Sequence, residues 1–312
     1  MMQTVKVAVV QAAPALFDLN KTLEKTAVLV KEAAQKGAQL ILFPEAFIPA
    51  YPRGFTFGTV VGSRSEEGKK LWLRYWENAV NMQGKEIEKL GSIAKENKVY
   101  LAIGVIERAE NGGTLYCTLL YFSPRGALLA RHQKLKPTAA ERVIWGEGDG
   151  STLSTIKTEL GVLGGLICWE NYMPLARMSM YQKGVQLYLA PTADHRETWQ
   201  TTMRHIATEG RCFVLSCNQF VTKSMYPPDL PTLEELKDQP EIMSKGGSVI
   251  INPQGEILAG PLWNEEGILY ADLNMDDLHK SKMDFDVAGH YAREDVFQFA
   301  VLNQPETLNF QG

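Results

Sequence analysis

Cysteine is scarce, with four in 312 residues. That is too few for a disulfide scaffold, and it makes free thiols and a cytoplasmic setting the expectation. A basic surplus is missing as well. Lys plus Arg number 32 against 36 Asp plus Glu, a formal net charge of −4. A protein that binds nucleic acid by neutralising phosphates would carry the opposite excess. No stretch approaches the ~18–20 uncharged apolar residues of a membrane span. The first apolar run, Val5–Val10, is short, has no basic flank and is followed by Gln11 and Pro14, so it predicts a buried strand rather than a signal peptide. Gly and Pro are near average use, and there is neither a fixed-period repeat nor a Ser/Gly linker. Neither a nucleic acid nor a membrane is expected as a partner.

What remains is the composition of a soluble globular chain, 45% hydrophobic and 22% charged, long enough to bury a full core. Its pattern alternates strand and helix. After Val5–Val10, Asp18 or Asn20 can cap a helix in which Leu23, Ala27, Val30 and Ala34 share a face, with Gly37 as the stop. Leu40–Phe43 is a second apolar strand, ended by Pro44. A helix is predicted near 84–97, a strand over 99–106, and a hairpin over 115–131 with its turn at Ser123–Gly126. Further strands are predicted at 161–167, 185–190, 213–218, 248–252 and 268–272. Helices are predicted after Pro174 and over Glu197–Gly210. Tyr226–Glu241 is Pro- and acid-rich and predicts an exposed loop. All-apolar strands alternating with helices imply an α/β protein. With no break in composition, residues 1–305 read as a single domain.

Three reactive side chains stand at comparable places. Glu45 follows the strand LILFP, Cys168 follows GVLGGLI, and Lys134 lies in the extended segment 130–135. Ligands of α/β sheets bind outside the carboxyl ends of the strands. A thiol nucleophile, a carboxylate to take its proton and an amine to stabilise developing negative charge would form a working set there. Each also has a plainer reading: a helix-start charge for Glu45, a solvated amine for Lys134, a small buried hydrophobe for Cys168.

The words around them weigh against the plainer readings. FPEAFIPAYPRG, RHQKLKPTAAERVIWGEGDGS, GLICWENYMPLAR, APTAD and GHYAR occur in that order between about Lys6 and Arg293. Together they closely resemble the nitrilase family of carbon–nitrogen hydrolases. Cys-Trp-Glu-Asn points to true nitrilases, including the plant and bacterial arylacetonitrilase or β-cyanoalanine types, rather than to amidases and carbamoylases, which usually read Cys-Tyr-Asp there. The resemblance implies a four-layer αββα sandwich. It implies Glu45 as general base, Lys134 as electrostatic stabiliser, Cys168 as nucleophile and Glu141 as an additional acidic residue that holds Lys134 or substrate. It also implies a homodimer or higher homo-oligomer, for which the helices near 174–183 and 197–210 are candidate contacts. Gln133 stands where Arg is more usual, and the chain after Arg293 is short beside the longer tails that support filaments in the family.

The implied reaction is hydrolysis of a nitrile to a carboxylic acid and ammonia through a thioimidate and a thioester, with water and a small-molecule nitrile as reactants and no metal or organic cofactor. Glu45 is expected to have a raised pKa or to share a proton with Cys168, because burial disfavours an isolated charge. Tyr51, Trp169, Asn171, His195 and Trp199 flank the matched words and are candidate substrate contacts. Aromatics beside a thiol would suit an apolar or aryl substrate, and core packing is the alternative for Trp169 and Trp199. Arg204, His205 and Glu209, at helical spacing, predict a surface or interface network. Gly146–Ser151 predicts a turn, since it lacks the Lys-Ser/Thr of a phosphate loop and the ligand alternation of a calcium loop. Cys212 and Cys217 have no CxxC partner pair, and with Cys117 they read as core thiols. ETLNFQG at 306–312 resembles a protease-site remnant of an expression tag and is set apart from the fold. Other readings of the same chain are an amidase or N-carbamoyl hydrolase, a cyanide-hydrolysing enzyme, or a catalytically idle assembly protein.

Overall fold

The computed structural model describes residues 4–302 and the backbone of residues 308–309. The rest of the 306–312 segment lies outside the described residues. In chain order the first half runs β1 (Thr4–Gln11), α1 (Leu19–Gln35), β2 (Leu40–Leu42), the hairpin β3 (Thr59–Val60) and β4 (Ser63–Arg64), α2 (Glu66–Glu77), β5 (Val80–Asn81), α3 (Lys85–Asn97), β6 (Tyr100–Arg108), β7 (Leu115–Phe122) and β8 (Leu128–Gln133). The second half runs β9 (Thr155–Thr158), β10 (Gly161–Gly165), α4 (Pro174–Gln182), β11 (Leu187–Pro191), α5 (Glu197–Gly210), β12 (Phe213–Cys217), β13 (Phe220–Thr222), β14 (Ile242–Ile251), β15 (Ile257–Trp263), β16 (Gly267–Asn274), α6 (Asp276–Asp284) and β17 (Leu308–Asn309).

Apart from the β3–β4 hairpin, which pairs only with itself, these strands form two sheets. One is ordered β16-β1-β2-β6-β7-β8, with β5 beside β6; the other is ordered β13-β14-β12-β11-β10-β9-β17, with β15 beside β14. In each, a central parallel trio (β1-β2-β6 and β10-β11-β12) is flanked by antiparallel strands.

The period of two along β1 explains the layering. Val5, Val7 and Val9 point inward with Leu40 and Leu42, and meet Leu187, Leu189, Phe213 and Leu215 of the second sheet. Ala8 and Val10 point outward with Ile41 and Phe43, under Leu19, Leu23 and Val30 of α1 and Leu90 and Ile93 of α3. Behind the second sheet, Tyr188, Val214 and Val249 pack on Met180 of α4 and on Trp199, Met203 and Ile206 of α5. The architecture is the αββα sandwich. Asp18 caps α1 by accepting from the Lys21 N–H, and Gly37 takes the positive φ that ends it.

Some expectations need correction. Tyr226–Glu241 is irregular but not simply exposed. Tyr226, Leu230 and Leu236 are buried, Tyr226 Oη donates to the Arg53 carbonyl, and Glu235 accepts from the Thr56 N–H at 2.6 Å. Its acidic residues mark one face of a segment whose apolar side chains point down. The pattern also failed to predict α2, whose buried face is only Gly68, Leu71 and Tyr75, and β15, whose apolar run is interrupted by Gly260-Pro261 and is only half-buried on a flank. Glu209 pairs with Arg177 at 2.7 Å and with His205 at 3.4 Å, joining α4 to α5, whereas Arg204 donates to the Gly255 carbonyl. Gly146–Ser151 is a turn region in which Asp149 accepts from the Ser151 N–H. No helix among the described residues is long and apolar enough to cross a membrane.

Candidate active site

Each reactive side chain is delivered by a strand that stops. β2 ends at Leu42, and the chain then lies flat on β6, where Phe47 donates to the Gly104 carbonyl at 2.8 Å. A Cβ on Gly104 would sit 2.2 Å from the Pro44 carbonyl oxygen, so only glycine admits this approach. Glu45 is thereby placed over the sheet end, and Gln219 Nε2 donates to its carbonyl at 2.9 Å. β8 ends at Gln133, and the Lys134 N–H donates to the Cys117 carbonyl at 2.8 Å. β10 ends at Gly165 and gives way to a 3-10 turn, Cys168–Tyr172. Cys168 takes φ +50°, a left-handed conformation that costs a non-glycine residue about 1–3 kcal/mol and aims its thiol away from the strand.

The three meet. Lys134 Nζ lies 2.6 Å from Glu45 Oε1 and 2.8 Å from Glu141 Oε2. Glu141 stands on a 3-10 turn, Ala139–Val143. Its carboxylate also accepts from Tyr51 Oη at 2.7 Å and from the Thr138 N–H at 2.6 Å. Thr192 Oγ1 approaches Cys168 Sγ at 3.3 Å, and Cys117 Sγ lies 3.6 Å from Glu45 Oε1. Cys117 is therefore more than a core thiol, as it forms part of the floor beneath Glu45. Among the described residues, Glu45 Oε2 has no hydrogen-bond partner although it is buried.

Burial and charge set the proton affinities. Burial and the neighbouring Glu141 charge push the Glu45 carboxyl up, opposed by the charge and hydrogen bond of the Lys134 ammonium. Burial also pushes the Cys168 thiol far up, and the Glu45 charge adds to it. For Lys134, burial pulls down, but the facing Glu45, Cys168 and Glu141 outweigh it and hold the ammonium well above its ordinary value. At neutral pH the site therefore holds a fixed cation and a thiol still carrying its proton, beside a carboxyl of raised proton affinity.

A cavity of about 250 Å³ opens onto this cluster, lined by Tyr51, Glu141, Cys168, Trp169, His195 and Arg53 among others. Of the expected contacts, Tyr51, Trp169 and His195 line it. Asn171 and Trp199 do not. Asn171 is fully buried behind the Cys168–Tyr172 turn, where its amide donates to the carbonyls of Leu166 and Cys168 and accepts from Tyr188 Oη. Trp199 is in the outer core under α5, its indole N–H on Ser216 Oγ. Helical spacing turned it away from the inner face. The lining is also more polar than aromatic words suggested, with Arg53, Asp194 and Arg196 at the mouth.

Gln133, the departure from the usual lysine word, donates to Glu107 rather than towards Lys134. Two buried residues went unremarked in the sequence although they lie inside the matched words, His132 and Glu170. Glu170 accepts from the Ile167 N–H at 2.7 Å, the Leu135 N–H at 2.6 Å and His132 Nε2 at 2.9 Å. A carboxylate in so apolar a stretch was the available signal, since burial demands such partners.

Comparison with known proteins shows the family of the chain. Residues 6–283 match the carbon-nitrogen hydrolase family. The chain is 50% identical over 303 residues to an aliphatic nitrilase of Sinorhizobium fredii, covering 97% of each chain. It is 48% identical over 306 residues to a bifunctional nitrilase/nitrile hydratase of Lupinus angustifolius, covering 97% of this chain and 87% of that one. Among solved structures it is similar to Saccharomyces cerevisiae Nit3, described as a member of branch 10 of the nitrilase superfamily. The TM-score is 0.72 at 21% identity, over 93% of this chain and 97% of that one. That likeness speaks to the fold.

Proposed function

The chain belongs to the carbon-nitrogen hydrolase family, and from that premise we propose that it is a nitrilase in which Cys168 attacks the nitrile carbon, Glu45 moves the protons and Lys134 stabilises charge on nitrogen. The observation that carries the reading is the bonding of Lys134 Nζ to both carboxylates, with Glu45 Oε2 left free beside the thiol. The similar chains named for nitrile chemistry add support.

The chemistry follows from the charges. Glu45 takes the thiol proton as the sulfur–carbon bond forms, which avoids a free thiolate at a site that disfavours one. The nitrile π pair moves to nitrogen, which takes a proton relayed through the Glu45–Lys134 pair, giving a thioimidate. Water then adds, its proton passing to Glu45. The tetrahedral carbon expels ammonia to leave a thioester, and a second water releases the acid and restores the thiol. Expulsion of sulfur instead of ammonia would give an amide. Glu141 holds the Lys134 ammonium in place from the other side and orients Tyr51. Tyr51, Trp169 and His195 are the substrate contacts of this reading.

Residues 1–305 are taken as one hydrolase unit, with 306–312 foreign to it. Four buried free thiols suit a reducing, cytoplasmic compartment. Exposed Leu175, Met173 and Tyr172, at the start of α4, suit a homodimer contact. The test is ammonia release from a panel of aliphatic, aryl and arylacetonitriles, with the acyl-enzyme trapped and located by mass spectrometry. Ammonia with acid product and a mass increment on Cys168 is expected. Ammonia from amides but from no nitrile would replace this reading with an amidase.

A further inference from the structure

We propose that Thr192 sets how much amide is released beside the acid, because its hydroxyl, held against the Cys168 sulfur, favours expulsion of sulfur from the tetrahedral carbon over expulsion of ammonia. This rests on the nitrilase reading above and adds a residue outside the expected set.

Strand pairing places the hydroxyl. β10 and β11 run parallel, with Gly165 beside Leu189. Cys168 comes shortly after the end of β10, and Thr192 directly after the end of β11. The Thr192 N–H donates to the Cys217 carbonyl at 2.8 Å, which fixes its backbone against β12. Its Oγ1 then lies 3.3 Å from Cys168 Sγ.

The direction of the hydroxyl proton follows from a second bond. The Asp194 N–H donates to the same oxygen at 2.9 Å and occupies a lone pair. The hydroxyl has one proton to give, and among the described residues the acceptor within its reach is the sulfur. Branching at Cβ stiffens the side chain, so the hydroxyl is held in place. Thr192 and Cys168 are both buried, so bulk water does not replace a lost donor. Burial and the Glu45 charge push the Cys168 thiol up, and the Thr192 hydrogen bond opposes them.

The tetrahedral carbon carries sulfur, a hydroxyl, an amino group and the organic substituent. In one course the carbon–nitrogen bond breaks. Nitrogen keeps the electron pair, gains a proton from Glu45 and leaves as ammonia, while the hydroxyl oxygen forms the carbonyl and returns a proton to Glu45. A thioester remains. In the other course the carbon–sulfur bond breaks. Sulfur keeps the pair, and the hydroxyl proton passes through Glu45 to it, which frees the thiol and an amide. Negative charge grows on sulfur in the second course alone, where a fixed donor stabilises it. An interaction made in one transition state and not in its rival changes the product ratio.

The test quantifies ammonia and amide at initial rate from butanenitrile, benzonitrile and phenylacetonitrile. The wild-type enzyme is expected to release amide from at least one of them. Thr192→Val, close in shape but without the donor, should cut the amide-to-acid ratio about three- to tenfold, the factor of one hydrogen bond. Thr192→Ser keeps the donor and should stay within about twofold of wild type. The ratio is read only from molecules that turn over, so partial misfolding does not alter it, and melting curves report the folded share. No amide from the wild type, an unchanged ratio in Thr192→Val, neither product from folded Thr192→Val, or a threefold or greater loss in Thr192→Ser overturns the role of Thr192 alone. Neither ammonia nor amide from any nitrile overturns the nitrilase reading, and this role with it.

Discussion

The Glu170 carboxylate lies 2.7 Å from the Ile167 N–H, one residue before Cys168, and the same carboxylate takes the Leu135 N–H, one residue after Lys134, at 2.6 Å. A single buried side chain thus ties the ends of β10 and β8 together, and His132 closes the clamp. Removing it leaves two buried N–H groups without acceptors, each costing about 1–3 kcal/mol. Glu170→Ala should lower stability by roughly 2–5 kcal/mol in denaturant unfolding. In material that still folds it should reduce kcat more than it raises KM, because sulfur and ammonium lose their relative placement. Wild-type kcat in folded Glu170→Ala would show that the clamp has no part in catalysis.

The pH dependence follows from Glu45. Its carboxyl is held above the ordinary value of 4.5, chiefly by burial, and only its ionised form can accept the thiol proton. Activity should therefore rise with pH through an apparent pKa above 4.5 and fall away below it. Inactivation by iodoacetamide should follow that acid limb. A limb near the ~8.5 of an exposed thiol is not expected, because Cys168 itself is pushed far above that range. Glu45→Gln should slow alkylation on the order of 100-fold. Alkylation that tracks ~8.5 and ignores Glu45→Gln would sink the proton-transfer role.

The strands were legible because they are buried on both faces. Val7–Val10 and Phe213–Leu215 are continuous apolar runs whose stable place is inside a layered sheet. The helix over Glu197–Gly210 was legible from its period. Less was legible wherever a residue's role depends on what faces it from afar. Trp199 reads in sequence as either a pocket aromatic or core packing, and only the structure shows that its face of α5 points into the outer core. Tyr226 and Leu236 sit in an acidic stretch and are buried only because the 53–57 loop crosses them. Arg53 was inside a matched word, but that no carboxylate among the described residues pairs with it is visible only in the structure, where Asp194 is taken by Arg196.

The two tryptophans beside the matched words should behave oppositely. Trp199 is 1% exposed, and Trp199→Ala empties a large volume and strands Ser216. A loss of about 3–5 kcal/mol is expected, which is a Tm drop of roughly 5–8 °C at this chain length. KM should stay near wild type below that temperature. Trp169 is 40% exposed, with Arg196 4.9 Å from its ring centroid, and lines the cavity. Trp169→Ala should change stability by no more than about 1 kcal/mol while shifting KM several-fold. Melting curves and substrate titrations of both variants decide it, and a reversed pattern would mean the cavity is lined from the other side.

The placement of Glu45 depends on a residue that touches no substrate. Gly104, in the middle of β6, is where the 44–48 segment crosses the sheet, and an added Cβ would meet the Pro44 oxygen at 2.2 Å and the Ala46 nitrogen at 2.7 Å. Both are backbone atoms, so no side chain can swing aside. Ala46 already holds a positive φ, which leaves the segment little room to adjust. Gly104→Ala should therefore lift the loop and draw Glu45 away from Lys134, at about 1–3 kcal/mol in stability, the range for overpacking a tight core. The larger effect should be on kcat, because a displacement near 1 Å is enough to cost about 100-fold. Glycine-to-alanine change at Gly112, where nothing lies within 4 Å of the added carbon but φ is +94°, serves as the comparison, since it carries backbone strain without touching the site. If the two variants lost activity equally, the crossing at Gly104 would not be what positions the carboxylate.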